Sequence, residues 1–234
     1  MSESLRLYEI PPSPSNIKAR IGLGYKNLSY ERFPLTLESY PGDRREVIQV
    51  SRQPRTPVLV HGDRAIFDSG AILRYLEANF PDTPPLFSED FEEMGVIEEW
   101  EWFARTRLAE PTGMVFKAAF DPAVQPDTGE HATAMMHELS ARIEERLATS
   151  EFLVGNRLTV ADVTAVPLIH LAMLPERAAV DPITGYFRQH LHLGPGRERT
   201  RDWVGRVLQL DRYYGELLHA PAAGSRAGER RTPR

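Results

Sequence analysis

The sequence predicts an α/β N-terminal domain, with a mixed four-stranded sheet and helices, followed by an all-helical domain. Two observations carry this prediction. Over residues 1–80, strand-like apolar runs alternate with helical patterns. After the stiff segment PDTPP at residues 81–85, the chain turns acidic and its apolar residues recur at helical intervals. We therefore predict domains at 1–80 and 88–219, a linker at 81–87, and a disordered basic tail at 220–234.

The composition excludes several kinds of chemistry. The 234 residues are 41% hydrophobic and 26% charged, which is typical of a globular protein. Since the chain contains no cysteine, it has no disulfide, no thiolate metal ligand and no cysteine nucleophile. The histidines are scattered without metal-ligand spacing, so we expect neither a metal nor a tightly bound cofactor. Any thiol chemistry must use a thiol brought by the substrate.

Charge is divided unevenly along the chain. Residues 1–80 carry 11 Lys and Arg against 9 Asp and Glu, whereas residues 81–221 carry 13 against 23. The first section can attract a small anion, while the acidic remainder argues against a nucleic-acid partner. The start, MSESLRLYEI, lacks the features of a signal peptide. The most apolar later segment, residues 158–174, contains Asp162 and Pro167, so it predicts a buried helix and no membrane span. We expect a cytoplasmic protein.

The first strand, residues 5–10, is ended by Pro-Pro-Ser-Pro, because prolines cannot continue a ladder of backbone hydrogen bonds. From Ser15 onward, apolar residues at helical spacing predict a helix with Ser15 or Asn16 as its N-cap. Ser13 and Ser15 thus lie in a strand-to-helix turn. They are either ordinary turn and capping residues or hydroxyls that point away from the core.

A β-hairpin is predicted close to the end of the first domain. Residues 28–35 form a second strand at an exposed edge, and a short helix follows around residues 46–50. Pro57 then leads the apolar strand 58–60, and His-Gly-Asp-Arg forms a turn into the strand 65–67.

Asp68 and Ser69 follow this hairpin and begin a helix. One interpretation is that they only cap the helix. The other is that they hold a zwitterionic group, the acid binding an ammonium and the helix N–H groups a carboxylate. The residues alone leave both open.

The second domain is predicted to be helical. The predicted elements are a helix over 89–120 broken near Pro111 and Gly113, a loop at 121–129, a helix over 131–149, a loop at 181–196 and a last helix over 197–219. Thr159 and Asp162 form a capping box at the start of a buried helix, a structural role. His170 on that helix is interpreted as a packed or hydrogen-bonded side chain.

Four segments carry a resemblance to a known family: SPSNIKAR at 13–20, TPVLV at 56–60, HGDRAIFDSGAILRYLEANFP at 61–81 and GNRLTVADVTAVP at 155–167. In this order and at this spacing, they resemble the soluble glutathione S-transferases, serine-type and bacterial-like, over roughly residues 4–175. The resemblance implies a thioredoxin-like N-terminal domain.

The resemblance also implies a site for glutathione as co-substrate. Pro57 would be cis, and the backbone of Thr56 would pair with the peptide like an added strand. Asp68 and Ser69 would hold the γ-glutamyl end. The glycyl carboxylate would meet Gln53 or Arg55, with Arg44 and Arg45 as further candidates. The family often has Asn-Pro-x-Gly before this proline, whereas the chain has Ser-Arg-Gln-Pro-Arg at 51–55.

Catalysis is assigned by the same resemblance to the turn before the first helix. Ser13 matches the serine that stabilises the glutathione thiolate, with Ser15 or Asn16 assisting. The thiolate would then attack a small, apolar electrophile.

Several aromatic residues fall in the first helical segment of the second domain. They are assigned either to the core or, as the family implies, to a co-substrate pocket: Trp100, Phe103 and Phe116. A homodimer is expected from the family. The alternative function is a non-catalytic domain of this fold that acts in protein assembly or regulation.

Overall fold

The fold is a four-stranded mixed sheet with flanking helices, followed by a purely helical part, as the sequence predicts. The computed structural model describes residues 4–35, 44–121, 127–175 and 182–215. The N-terminal elements are β1 (Leu5–Glu9), α1 (Pro14–Tyr25), β2 (Tyr30–Pro34), α2 (Arg45–Ser51), β3 (Val58–His61), β4 (Arg64–Phe67) and α3 (Ser69–Asn79). The later elements are α4 (Phe91–Phe103), a π-helical turn (Ala104–Leu108), α5 (Ala109–Phe120), α6 (Thr128–Arg146), α7 (Val160–His170), a 3₁₀ turn (Leu171–Met173), α8 (Pro182–His190) and α9 (Glu198–Leu208).

The strands lie in the order β2-β1-β3-β4. β1 and β2 are parallel and are connected through α1, whereas β3 is antiparallel to β1 and to β4. The predicted hairpin of β3 and β4 and the predicted edge position of β2 are therefore confirmed.

Helices cover both faces of the sheet. Because successive strand residues point to opposite sides, Leu7 and Leu59 enter the main core with α1 and α3. Tyr8 and Val58 point the other way and pack against Val47 of α2. The short helix predicted near residues 46–50 thus closes the second face.

The predicted break at Pro111 and Gly113 is wrong in position, because both residues lie inside α5. The irregularity comes one turn earlier, as the π-helical turn Ala104–Leu108. A proline lacks the backbone donor and clashes with the carbonyl four residues before it. A wider turn immediately before Pro111 accommodates both effects.

The predicted loop at 181–196 is also wrong, since it contains α8. Pro182 is the first residue of this helix, where its missing N–H costs nothing. The last helix ends at Leu208, earlier than predicted. The predicted tail at 220–234 and most of the predicted loop at 121–129 lie outside the described residues.

The predicted capping box starts α7. Oδ2 of Asp162 accepts hydrogen bonds from the backbone N of Thr159 at 2.9 Å and from its hydroxyl at 3.0 Å. Oδ1 accepts from the backbone N of Leu153 at 2.9 Å and from Nε1 of Trp203 at 3.0 Å. Asp162 is completely buried, so it joins α7, the preceding loop and α9 from inside the core.

A buried ion cluster ties the segment after α9 to the N-terminal domain. Nε of Arg20 donates to the two carboxylate oxygens of Asp211 at 3.0 and 2.9 Å, and Nη1 donates to Glu9. All three side chains are buried. Beside this cluster, Gly24 lies so close to Leu210 that a Cβ would come within 1.8 Å of its carbonyl oxygen.

His170 is buried at the end of α7, as predicted, and contacts the hydroxyl of Tyr214 at 3.3 Å. Burial lowers the pKa of His170 to about 4. Its imidazole is therefore neutral in the folded protein at neutral pH. Among the described helices, none is long and apolar enough to cross a membrane.

Candidate functional site

The loop before β3 is shaped by a cis peptide bond between Thr56 and Pro57, as the resemblance implied. The side chain of Gln53 holds this loop: its Oε1 accepts from the backbone N of Arg55 at 2.7 Å, and its Nε2 donates to the carbonyl of Arg55 at 2.9 Å. Nε2 also lies 3.0 Å from the hydroxyl of Ser51. Gln53 is thus engaged within the loop, while the exposed side chain of Arg55 has no partner among the described residues.

Helix α1 is capped two to three residues earlier than predicted, with Ser13 as N-cap and Pro14 as the first helical residue. The prediction of Ser15 or Asn16 as the cap is therefore wrong. Proline is well suited to the first helical position, because its φ is already helical and its missing N–H needs no partner there. The side chain of Ser13 makes no capping hydrogen bond, so its hydroxyl is left available at the positive end of the helix.

Asn16 connects α1 to the cis-proline loop. It is completely buried, and its Nδ2 donates to the hydroxyl of Thr56 at 3.3 Å. Its Oδ1 is a buried acceptor without a partner in the described residues. The first turn of α1 and the Thr56–Pro57 bend are therefore held side by side.

Asp68 is the N-cap of α3, and its Oδ1 accepts from the backbone N of Gly70 at 2.8 Å and of Ala71 at 3.2 Å. The capping interpretation is therefore confirmed. Asp68 is nevertheless exposed and stands at a positive φ of 72°, which is uncommon for a residue other than glycine. Its Oδ2 has no partner in the described part of the chain. Asp68 can therefore cap α3 with Oδ1 and still offer Oδ2 to a ligand.

An ion network of two buried side chains and one exposed arginine lies beside this helix start. Nζ of Lys18 is 3.5 Å from Oε1 of Glu101, and Arg74 donates to Oε2 of Glu101 at 2.8 Å. Burial lowers the pKa of Lys18 to about 8, although the carboxylate of Glu101 opposes this shift. Burial pushes the pKa of Glu101 upward, but the hydrogen bond from Arg74 and the charge of Lys18 outweigh it, so that pKa lies below its usual range. The network joins α1, α3 and α4.

A cavity opens at the junction of the two halves of the chain. Its wall combines the starts of α1 and α3 with the π-helical turn and α7. The polar residues on this wall are Ser15, Lys18, Asp68, Ser69, Arg105 and Thr164. Pro14, Gly70 and Leu168 complete it.

The predicted site residues do not all reach this cavity. Ser15, Asp68 and Ser69 line it. Ser13 stands two residues from Ser15 in the turn that enters α1, and Thr56 is tied to the same helix through Asn16. The starts of α1 and α3 therefore share the cavity wall, and the cis-proline loop is hydrogen-bonded to the first turn of α1.

Trp100 and Phe103, which were candidates for either the core or a co-substrate pocket, lie in the core. Both are buried in the main core, 6% and 3% exposed, and pack edge to face with ring centroids 5.4 Å apart. The guanidinium of Arg142 covers both rings at 4.8 and 4.7 Å. Core packing is therefore confirmed for this pair, and neither residue is on the wall of the cavity described above. Phe116 is 38% exposed and packs on Phe120 at 4.9 Å, away from the cavity wall.

The sequence interpretation missed Lys18, Glu101 and Arg105. The one available signal for Lys18 was its spacing of three residues from Ser15, which places both on one side of α1. Glu101 is 83 residues from Lys18, and no local pattern predicts such a pair.

A mixed sheet with a cis-proline loop, followed by a helical domain that closes a cleft against it, defines a class of two-domain proteins built on a thioredoxin-like unit. Two family models match the chain: the glutathione S-transferase N-terminal domain over residues 7–84 and the C-terminal domain over residues 100–206. The chain therefore belongs to the glutathione S-transferase family.

Individual proteins agree with this assignment. The chain is 27% identical to glutathione S-transferase F10 from Arabidopsis thaliana over 173 residues, covering 70% of this chain and 80% of that protein. It is 22% identical to elongation factor 1-gamma 1 from Oryza sativa subsp. japonica over 220 residues, covering 93% of this chain but 47% of that protein. The glutathione transferase URE2P8 from Phanerochaete chrysosporium, solved with oxidized glutathione, matches with a TM-score of 0.71 at 17% identity, covering 93% of this chain and 96% of that chain.

Proposed function

We propose that this protein is a glutathione transferase that binds glutathione across the two helix starts and the cis-proline loop, and transfers it to a small electrophile. The observation that carries the proposal is that the acid and hydroxyl at the start of α3 line one cavity with the start of α1, whose first turn is hydrogen-bonded to the loop before Pro57. Relatives named glutathione S-transferase and a neighbour solved with oxidized glutathione support it.

The tripeptide is assigned to three subsites. Asp68 takes the γ-glutamyl ammonium with its unpaired oxygen, while Ser69 meets the same end. The backbone of Thr56 pairs with the cysteinyl unit. Arg55 meets the glycyl carboxylate, because Gln53 is engaged in shaping the loop.

Ser13 is assigned to the thiol. A free thiol with a pKa near 8.5 is only about 3% ionised at pH 7. Lowering that pKa by about two units makes it mostly thiolate, which requires about 2.7 kcal/mol of stabilisation. A hydrogen bond donated by the Ser13 hydroxyl, together with the positive end of α1, supplies much of this energy. Ser13 suits the role because its hydroxyl makes no capping bond. Ser15 or Asn16 assists.

The remaining parts of the proposal follow the family. The N-terminal domain over 1–80 holds glutathione, and the helical domain over 88–219 orients an electrophile, with Phe116 as its candidate aromatic contact. The thiolate attacks an alkyl or aryl carbon. Isomerase, dehalogenase or etherase variants use the same bound thiol. We also propose a cytoplasmic homodimer.

Protein assembly is the second candidate, because an elongation factor 1-gamma is among the relatives. It is not favoured, since that relative is 22% identical and the F10 transferase 27%.

The test combines retention on immobilised glutathione, conjugation of a panel of electrophiles, and titration of the bound thiol by thiolate absorbance. We expect wild-type binding and turnover, with the thiol pKa well below 8.5. Ser13→Ala should lower turnover and raise the thiol pKa while binding is largely kept, and Ser13→Thr should retain activity because it keeps the hydroxyl. Ser15→Ala is the matched comparison. If the wild type neither binds glutathione nor conjugates any electrophile, protein assembly becomes the better explanation.

A further inference from the structure

We propose that Arg105 binds the α-carboxylate of the γ-glutamyl group, so that the helical domain contributes a specificity-determining residue to the tripeptide site. This inference rests on the proposed function. It concerns a residue in the π-helical turn, far in sequence from the thioredoxin-like unit.

The first argument is the way Asp68 caps its helix. A free helix start would offer several N–H groups to a carboxylate. Here the N–H groups of Gly70 and Ala71 already donate to Oδ1 of Asp68. The start of α3 therefore has fewer free N–H groups to donate to an anion than its sequence indicates. A γ-glutamyl group carries both an ammonium and a carboxylate on one carbon, so a charged donor near Asp68 would add to the Ser69 hydroxyl in holding the carboxylate.

The second argument is the pairing of the nearby cations. Lys18 and Arg74 both use Glu101 as their partner, and Lys18 is almost completely buried. Arg105 lines the cavity together with Lys18 and Asp68, is exposed, and forms no ion pair with any described residue. The cavity wall carries two basic side chains, Lys18 and Arg105. Lys18 is paired with Glu101, whereas Arg105 has no carboxylate partner among the described residues.

The third argument is geometric. Asp68 enters the cavity from the start of α3, whereas Arg105 enters from the π-helical turn on the other half of the chain. A guanidinium binds a carboxylate through two parallel N–H donors, which fixes orientation as well as charge. A carboxylate and a guanidinium that line the same cavity from separate elements offer one partner for each charge of an α-amino acid group.

The experiment compares two peptides by calorimetric titration on the full chain. One is glutathione, and the other is γ-aminobutyryl-cysteinyl-glycine, which keeps the ammonium but lacks the α-carboxylate. The variants are Arg105→Gln, Arg105→Lys and the matched control Arg107→Gln, an exposed arginine of the same turn that is not on the cavity wall. Thermal unfolding checks that each variant is folded.

We expect Arg105→Gln to weaken glutathione binding by about tenfold or more, since a charged hydrogen-bonded pair is lost. For the peptide without the α-carboxylate, the affinity of Arg105→Gln should equal that of the wild type. The glutathione affinity of Arg105→Lys should lie between those of the wild type and Arg105→Gln. Arg107→Gln should bind both peptides with wild-type affinity. Equal glutathione affinity for Arg105→Gln and wild type, or the same loss for both peptides, would overturn the inference while the proposed function stands. A wild type that does not bind glutathione would overturn both.

Discussion

Replacing Asp162 by alanine should be among the most damaging single substitutions in the helical domain. The carboxylate is completely buried and accepts four hydrogen bonds. Its removal takes the acceptor away from four buried donors: the backbone N–H groups of Leu153 and Thr159, the Thr159 hydroxyl and the indole N–H of Trp203. Each such donor costs about 1–3 kcal/mol, partly offset because a buried charge is removed as well. We expect a loss of about 4 kcal/mol in the free energy of unfolding.

The measurement is urea unfolding followed by circular dichroism and tryptophan fluorescence, with thermal unfolding beside it. A loss of about 4 kcal/mol corresponds to a Tm lower by about 8–16 °C for a protein of this size. The matched variant is Thr159→Ala, which removes the capping hydroxyl but leaves the carboxylate in place, at a cost of about 1 kcal/mol. If Asp162→Ala costs no more than Thr159→Ala, the bonds to Leu153 and Trp203 do not contribute as argued, and the reasoning is refuted.

Three further predictions concern close packing and buried titratable groups. Gly24→Ala should destabilise the fold by several kcal/mol, because its Cβ would come within 1.8 Å of the Leu210 carbonyl oxygen, and unchanged urea unfolding would contradict this. His170 has a folded-state pKa of about 4, below its unfolded value, so stability should fall by about 2 kcal/mol from pH 7 to pH 5; His170→Asn should flatten this dependence. Lys18 has a folded-state pKa of about 8, below its unfolded value, so the folded state loses its proton at a lower pH than the unfolded state. The free energy of unfolding should therefore rise by about 2 kcal/mol from pH 7.5 to pH 9.5. Lys18→Met should lose that rise in urea unfolding, and an identical pH profile would disprove the assignment.

Local chemistry in the sequence predicted the N-terminal domain well. A proline before a short apolar run, a Gly-Asp turn and an acid before a helical pattern each act within a few residues, so β3, β4 and α3 could be placed. The capping box at Thr159 and Asp162 is local in the same way.

The predicted helix boundaries are wrong at two prolines, because proline is found both where helices end and where they begin. Pro182 was therefore assigned to a loop although it begins α8, and Pro111 was assigned to a break although the chain accommodates it with a π-helical turn.

The candidate site was only half predictable, because part of it depends on tertiary contacts. Ser15, Asp68 and Ser69 reach the cavity from helix starts that the sequence reveals. Arg105 reaches it only because the helical domain packs against the thioredoxin-like unit. Trp100 could not be assigned to core or pocket from its spacing, since both roles use an apolar side of the same helix.

The Arg20 cluster has a consequence for the order in which the protein is made. The guanidinium of Arg20, buried in the first domain, needs Glu9 and also Asp211. During synthesis, Glu9 emerges from the ribosome long before Asp211, so the guanidinium lacks one of its two carboxylate partners until translation is nearly complete. The ion pair between Arg20 and Asp211 can therefore form only after the end of the helical domain has been made.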